Sequence, residues 1–245
     1  MDLNADIGEG TGADADLLAV ITSASIACGA HAGDADTMRA TVRQAREAGV
    51  AIGAHPGYPD RGNFGRKEIG AGPAEIEGWI REQIGTLLKI CRAERAELCY
   101  VKPHGALYNR AVTDDEAAAA VAAAIRAVST KLMVLGPAGS ELLNAARAAG
   151  LRIAAEAFLD RGYADDGTLL PRSHPDALLT DPAVAAERAV LLARGDPIPS
   201  ADGQQLLIVA DSLCVHSDSP TSVAIATAAR ARLEAEGIEL SPFAK

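Results

Sequence analysis

A chain of 245 residues is long enough for one (β/α) barrel, and its 49% hydrophobic content provides a large core and argues against disorder. Aromatic residues make up only 3%, and the abundance of Ala, Val, Ile and Leu favours small-residue helices packed on a buried parallel sheet. The formal charge of −10 argues against nucleic acid as a partner, because an acidic surface repels phosphate backbones.

The cysteines and the apolar runs indicate where the protein resides. Four cysteines, at positions 28, 91, 99 and 214, show no CxxC or other close pairing, as expected of reduced thiols. The N-terminus lacks the basic and apolar regions of a signal peptide. No apolar run approaches the length of about 20 residues that a membrane span requires. We therefore expect a soluble, cytoplasmic protein with no membrane contact.

One pattern repeats in chain order: a short apolar run, a polar or glycine-rich loop, and an amphipathic segment. The predicted strands cover residues 3–7, 25–28, 50–54, 98–101, 131–135, 152–155 and 206–215. The last run is either one strand or two short ones, because Asp211 and Ser212 interrupt it. The predicted helices cover residues 35–48, 74–94, 114–129, 138–149, 181–193 and 219–236, with a weaker candidate at 14–21.

Several helix ends carry recognisable signals. Thr113 and Glu116 have the spacing of a capping box. Pro182 suits the first turn of the helix that it begins. Three glycines follow helical patterns, as left-handed C-terminal caps do: Gly49, Gly150 and Gly237.

The alternation of strands and helices predicts an α/β fold with a parallel sheet, in a single domain over residues 1–245. Continuous apolar runs such as 132–135 indicate strands that are buried on both faces. Seven such strands are compatible with a closed (β/α) barrel or with an open, doubly wound sheet.

Nearly every unusual polar residue follows a predicted strand, where barrel enzymes place their catalytic groups. Four of the five histidines lie at such positions, whereas His174 lies in a loop and is expected at the surface. The strand-end polar residues are Asn4, Asp6, Glu9, His31, Asp34, His55, Asp60, Arg61, Arg66, Lys102, His104, Tyr108, Asn109, Glu156, Asp160, Arg161, Tyr163, Asp166, Arg172, His216, Ser217 and Asp218. An even scatter of histidines would rarely give this pattern, which indicates an active site.

Familiar catalytic motifs are absent from the sequence. There is no GxxxxGK[ST] phosphate loop, no GxGxxG after the first strand, no HExxH and no GxSxG. Cys28 and Cys214 are expected to be small core residues rather than nucleophiles.

At six of these stretches the chain resembles the LamB/YcsF family, to which the A subunit of ATP-dependent 5-oxoprolinase belongs. The stretches cover residues 2–9, 28–34, 53–66, 102–109, 156–172 and 214–218, so the resemblance extends over nearly the whole chain. Ala30 and Ser217 stand where the family usually has Phe and Gly, which bears on the shape of the pocket rather than on the reaction. The resemblance implies a distorted (β/α)7-type barrel related to the glycoside hydrolase/deacetylase superfamily.

The resemblance also implies a reaction: hydrolysis of 5-oxo-L-proline to L-glutamate, with ATP as co-substrate giving ADP and phosphate. It implies 5-oxoprolinase subunits B and C as partners and leaves open which subunit binds ATP. Association with further copies of the same chain is also left open. Two alternatives stand beside this prediction: a stand-alone metal-dependent deacetylase or amidohydrolase, and a non-catalytic subunit that senses a small acid.

The residue types suggest roles for the candidate site. Asp6, His31, His55 and His104 form the expected inner catalytic site, as metal ligands or as acid–base groups. Of these, Asp6, His31 and His55 are the candidate ligands of a divalent metal. The candidates for water activation or leaving-group protonation are Glu156, Asp160, His216 and Asp218. The candidates for binding the substrate or a phosphate are Asn4, Arg61, Arg66, Lys102, Tyr108, Arg172 and Asp218.

Overall fold

The computed structural model describes residues 1–244. The strands are β1 (Asp2–Ile7), β2 (Ser23–Ala27), β3 (Ala51–His55), β4 (Leu98–Val101), β5 (Met133–Pro137), β6 (Ile153–Phe158), β7 (Ile198–Pro199), β8 (Gln205–Leu206) and β9 (Ser212–His216). Within this part of the chain, seven parallel strands close into a barrel in the order β1-β2-β3-β4-β5-β6-β9. The ring closes because β1 pairs with both β2 and β9. The barrel prediction is therefore confirmed, and the open sheet is excluded.

Helices surround the barrel. They are α1 (Asp14–Leu18), α2 (Ala35–Glu47), α3 (Pro73–Ala93), α4 (Gly105–Arg110), α5 (Asp115–Val128), α6 (Glu141–Ala148), α7 (Pro182–Arg194) and α8 (Ser222–Ala235). Neighbouring helices pack side by side, notably α3 on α5, α5 on α6, and α7 on α8. The buried faces of α5 and α7 are rich in alanine, whereas α3 buries mainly isoleucine and leucine. Across residues 1–244, no helix is long and apolar enough to span a membrane.

The apolar run at 206–215 forms two strands rather than one. The two residues of β8 pair antiparallel with β7, whereas β9 begins at Ser212 and joins the barrel. Between them, Asp211 binds the backbone of Ala155, donating its own N–H at 2.7 Å and accepting the Ala155 N–H at 2.8 Å. This residue holds the chain at the entrance to β9, which explains why a charged side chain interrupts an apolar run.

Helix-end predictions had mixed outcomes. Gly49, Gly150 and Gly237 all adopt positive φ, near +70°, so the left-handed caps are confirmed. The capping box at Thr113 is wrong, because the next residue, Asp114, is the N-cap and accepts the Ala117 N–H at 3.0 Å. The sequence patterns do not predict the short helix α4, because its six residues are too few to show a helical period.

The barrel interior is filled and closed at the amino ends of the strands. Tyr100 is fully buried there, with its hydroxyl 3.1 Å from Ser25 Oγ. It occupies the space next to Gly53, where an added Cβ would overlap the tyrosine ring. Below it, Asp2 accepts hydrogen bonds from Ser23 and Thr22, both at 2.6 Å. The space for chemistry therefore lies at the opposite end, where the strands end.

Candidate active site

The carboxyl ends of the strands bring the predicted polar residues together in one buried region. His31, His55 and His104 are at most 4% exposed, and so are Asp6 and Glu156. They come from β1, from β3, from β6 and from the segments after β2 and β4. Ionisable side chains are rarely this deeply buried unless they are paired, so their partners determine what the site can do.

Lys102 is the cation at the centre of the barrel. Its Nζ lies 3.0 Å from Asp6 Oδ1, 3.0 Å from Glu156 Oε2 and 3.3 Å from Asn4 Oδ1. Burial by itself would lower the pKa of Lys102, but the negative charges of Asp6 and Glu156 outweigh it and hold that pKa well above its usual range. Lys102 is therefore a fixed positive charge in an interior that would otherwise be strongly negative.

Both carboxylates beside Lys102 are held by further contacts. Tyr108, from α4, donates its hydroxyl proton to Glu156 Oε1 at 2.7 Å. Burial would raise the pKa of Asp6, but the charges of His55 and Lys102 hold it well below its usual range, so Asp6 is ionised. Cys214 Sγ also lies 3.0 Å from Lys102, and burial raises the pKa of this thiol. Cys214 is therefore a neutral packing partner rather than a nucleophile.

Next to this charge cluster, three histidines and a glutamate converge. The metal-ligating atoms of Glu9, His31, His55 and His104 all lie within 4.8 Å of one another. The His31 and His104 rings stack, with centroids 3.7 Å apart, and His55 Nε2 lies 2.9 Å from His104 Nδ1. Glu9 Oε1 lies 3.1 Å from His31 Nε2 and 3.6 Å from His104 Nδ1. We call these four residues the histidine cluster.

Burial lowers the pKa of two histidines in the cluster and raises the pKa of its glutamate. It lowers the pKa of His31 to about 4 and holds the pKa of His104 well below its usual range, where the neighbouring His55 contributes in the same sense. Burial, together with the nearby charge of Asp6, raises the pKa of Glu9 to about 7. Two neutral imidazoles and a readily protonated carboxyl group therefore lie side by side, an arrangement able to exchange a proton or to bind a cation.

The loop after β3 is pressed against the cluster at a glycine. Gly65 has φ of +65°, and an added Cβ would lie 2.8 Å from His31 Cβ and 2.9 Å from His104 Cδ2. A Cβ added to Gly105 would in turn lie only 2.5 Å from the carbonyl oxygen of Gly65. The glycines at these two loop positions are thus explained by close approach between backbone and neighbouring groups.

His216 and Asp160 form a second acid–base pair. His216 Nδ1 lies 3.1 Å from both carboxylate oxygens of Asp160, and its backbone N–H donates to Asp160 Oδ2 at 2.8 Å. The imidazole stacks on Phe158, with ring centroids 5.3 Å apart. Among residues 1–244, no hydrogen bond reaches Nε2 of His216. A carboxylate that orients one ring nitrogen and leaves the other free is the arrangement of a general base.

Two arginines share one carboxylate at the mouth of the site. Arg66 lies 2.6 Å and Arg172 lies 3.5 Å from Asp218 Oδ2, and all three side chains are partly exposed. Arg66 also lies 4.8 Å above the Phe64 ring. Since Asp218 can neutralise only one of two guanidinium groups, the mouth retains attraction for an anion. Arg61 points elsewhere, because it donates to the carbonyls of Gly29 and Gly33.

The structure regroups the predicted metal ligands. His31 and His55 lie in the histidine cluster with Glu9, whereas Asp6 borders it: Asp6 Oδ1 binds Lys102 and Asp6 Oδ2 lies 3.3 Å from His55 Nε2. No sequence pattern had assigned a role to Glu9, Ser217 or Phe64. The Ser217 hydroxyl donates to Glu9 Oε2 at 3.3 Å, and the Phe64 carbonyl lies 2.8 Å from His104 Nε2. Contacts of backbone carbonyls leave no sequence signal.

The chain is therefore a (β/α) barrel protein, with buried acids, bases and a lysine at the carboxyl ends of its strands. This is the position at which barrel enzymes carry their active sites. The model of the LamB/YcsF family matches residues 1–245. A relative from Heliobacterium modesticaldum, named as the A subunit of 5-oxoprolinase, is 50% identical, over 97% of this chain and 96% of its own. One of the same name from Streptomyces avermitilis is 47% identical over the full length of both chains.

A solved structure agrees with these sequence relationships. The crystal structure of a lactam utilization protein from Thermus thermophilus superimposes with a TM-score of 0.93 at 41% identity, covering 99% of each chain. The chain belongs to the LamB/YcsF family.

Proposed function

We propose that this chain is the A subunit of an ATP-dependent 5-oxoprolinase, which opens the lactam of 5-oxo-L-proline to give L-glutamate while ATP is hydrolysed to ADP and phosphate. The observation that carries the proposal is the near-full-length identity of 45–50% to relatives that bear this name. The site supports it, since an anion-attracting mouth leads to buried acid–base groups, and the substrate is a small carboxylate with a cyclic amide.

The chemistry explains why ATP is needed. A five-membered lactam is a resonance-stabilised amide whose nitrogen is a poor leaving group. Acid–base groups acting alone contribute only about 10²–10⁴-fold each. Phosphorylating the lactam oxygen would make the ring carbon electrophilic, and shielding from bulk water would preserve the activated species until the ring opens. The lack of a phosphate-loop motif in this sequence favours a nucleotide site that is formed with partner subunits, for which subunits B and C are the candidates.

Arg66 and Arg172 are proposed to bind the substrate carboxylate or a transferred phosphate. Their guanidinium groups both reach the same oxygen of Asp218, and an incoming anion would occupy the position that this oxygen holds. Paired arginines match carboxylate and phosphate groups in geometry as well as charge. Arg61, tied to the loop after β2, is proposed to fix the shape of the mouth rather than to bind the anion.

His216 is proposed as the base that activates water, with Asp160 holding its ring. Its free Nε2 can accept a proton from water while Nδ1 remains hydrogen-bonded to the carboxylate. Lys102 is proposed to stabilise negative charge that develops on the lactam oxygen or on a phosphate, because it is the cation held between the strands by Asp6 and Glu156. Tyr108 and Asn4 are proposed to hold Glu156 and Lys102 in place through their hydrogen bonds.

Reconstitution tests the proposal. Glutamate release from 5-oxoproline is measured with this chain alone, with subunits B and C alone, and with the mixture, each with and without ATP. We expect ATP-dependent glutamate only from the mixture. Replacing His216 by Gln should abolish it while the complex still assembles, whereas His174→Gln, on an exposed loop histidine, should leave the rate unchanged.

Two results would contradict the proposal. ATP-dependent release by the isolated chain would show a complete nucleotide site within this barrel and would refute the shared-complex arrangement. A mixture that assembles but releases no glutamate would remove 5-oxoproline as the substrate.

A further inference from the structure

The histidine cluster contains nitrogen atoms whose protonation is fixed by the backbone. His55 Nδ1 lies 2.8 Å from the Lys102 carbonyl, and His104 Nε2 lies 2.8 Å from the Phe64 carbonyl. A carbonyl can only accept, so each of these nitrogens carries the ring proton. In the neutral rings, His55 Nε2 and His104 Nδ1 are therefore bare lone pairs.

These two lone pairs face each other and face other acceptors. They are 2.9 Å apart, and Asp6 Oδ2 lies 3.3 Å from His55 Nε2. Glu9 Oε1 lies 3.6 Å from His104 Nδ1 and 4.0 Å from His55 Nε2. Buried acceptors that face one another without a donor are unfavourable. Something positive must lie between them.

The balance of buried charges also points to a cation. Around the cluster, the carboxyl groups of Asp6, Glu9 and Glu156 are balanced by one buried ammonium group, that of Lys102. Once all three carboxyl groups are ionised, the region carries an excess of two negative charges, which a divalent ion would offset.

We propose that Glu9, His31, His55 and His104 bind a divalent transition-metal ion, with Zn²⁺ as the ion that best matches three imidazoles and a carboxylate. Zinc bonds of about 2.0–2.1 Å in a tetrahedron place neighbouring donor atoms about 3.3–3.4 Å apart. Four of the six separations between these donor atoms are 2.9, 3.1, 3.6 and 4.0 Å, which bracket this value, and all of them are within 4.8 Å. The carbonyls of Lys102 and Phe64 act as the outer partners that fix ligand imidazoles in metal sites.

The ligand set differs from the sequence-based one because Glu9 replaces Asp6 and His104 is added. Asp6 contacts both groups, because its Oδ1 lies 3.0 Å from Lys102 Nζ and its Oδ2 lies 3.3 Å from His55 Nε2, so it borders the site. A bound divalent ion would supply Lewis acidity to a carbonyl or to water. The inference does not depend on the proposed reaction: failure of the chain to bind Zn²⁺ would overturn it and leave that function standing.

Metal binding is measured on the full chain without substrate. Protein purified without chelator is analysed for metals, then stripped and titrated with Zn²⁺ by calorimetry. Titration with Co²⁺ reports the coordination through its visible absorption. We expect one ion per chain, and we expect Glu9→Gln and His104→Ala to weaken Zn²⁺ binding by at least about 100-fold, more than the loss of an outer partner. His174→Gln, which removes an exposed histidine, is the matched control.

The alternative occupant is a proton shared between His55 and His104. In that case the stripped protein binds Zn²⁺ no better than the His104→Ala variant, and nitrogen NMR shows a protonated imidazole pair that added metal does not change. Either result would overturn the proposal. Circular dichroism shows whether the variants are folded. If they are not, the test is made on the wild type: Zn²⁺ should shift the ring-nitrogen resonances of the histidine cluster but not those of His174. Cluster resonances that do not shift would refute the proposal.

Discussion

Replacing Lys102 by Met tests whether the central lysine balances the buried charges of the barrel. Methionine has a similar length, so the substitution removes the charge with little change in packing. The Lys102 Nζ lies 3.0 Å from one oxygen of Asp6 and 3.0 Å from one oxygen of Glu156, and both carboxylates are about 2% exposed. The variant leaves both carboxylates in a barrel interior without their cation.

The expected loss in free energy of unfolding is about 3–5 kcal/mol, the usual result of removing one member of a buried ion pair. An upper bound comes from protonation. A carboxyl group of ordinary pKa takes up a proton at pH 7 at a cost of about 4 kcal/mol, so each uncompensated carboxylate can cost no more than that. Because the lysine has two partners, the loss should lie toward the upper end of the range.

Urea unfolding measures the loss, with Lys89→Met as the control, since Lys89 is exposed on α3 and should change stability by less than about 0.5 kcal/mol. A double-mutant cycle then adds Glu156→Gln. We expect this second change to be less destabilising, or even stabilising, beside Met at position 102 than in the wild type. A loss equal to that of the control, or an equal effect of Glu156→Gln in both backgrounds, would refute the charge-balance reasoning.

Three further predictions concern the core, the second acid–base pair and the mouth. Gly53→Ala should lower the free energy of unfolding, measured in urea, by about 1–3 kcal/mol because the added Cβ overlaps the buried Tyr100 ring. The control Gly85→Ala, on an open helix face, should raise it by about 0.5–1 kcal/mol. Equal effects of the two substitutions would contradict the predicted overlap. Burial would raise the pKa of Asp160, but the neighbouring histidine holds it below its ordinary value, so its stabilisation is present above the unfolded pKa and lost as pH falls through the folded one. The stability difference between wild type and Asp160→Asn should therefore shrink on acidification in pH-dependent urea melts; a constant difference would contradict this. In the reconstituted complex, Arg172→Met should raise KM for 5-oxoproline by about 10–100-fold with little change in kcat, and the exposed control Arg126→Met should change neither; an unchanged KM would remove Arg172 from substrate binding.

Much of the fold could be predicted from local patterns. Largely apolar runs alternating with amphipathic segments predicted every barrel strand, because strands of a parallel sheet that is covered on both faces are rich in apolar residues. The glycine caps at 49, 150 and 237 were also predictable, since positive φ favours glycine strongly. Strand-end position was enough to select Lys102 and His216 as candidates. These features depend on residues near one another in the chain, so the sequence displays them directly.

The arrangement of the site depends on contacts between distant parts of the chain. Barrel closure rests on the pairing of β1 with β9, whose registered residues are about 210 positions apart, and no local pattern encodes it. The placement of Glu9 among the histidines, and of Asp6 between His55 and Lys102, follows from the direction that each side chain takes at the end of β1 and beyond it. The proton positions on His55 and His104 follow from backbone carbonyls. Local patterns thus show which chemical groups reach this end of the barrel. Which of them touch is set by tertiary packing, because burial forces each charged or polar group to take the partner that the surrounding strands and loops bring within hydrogen-bond distance.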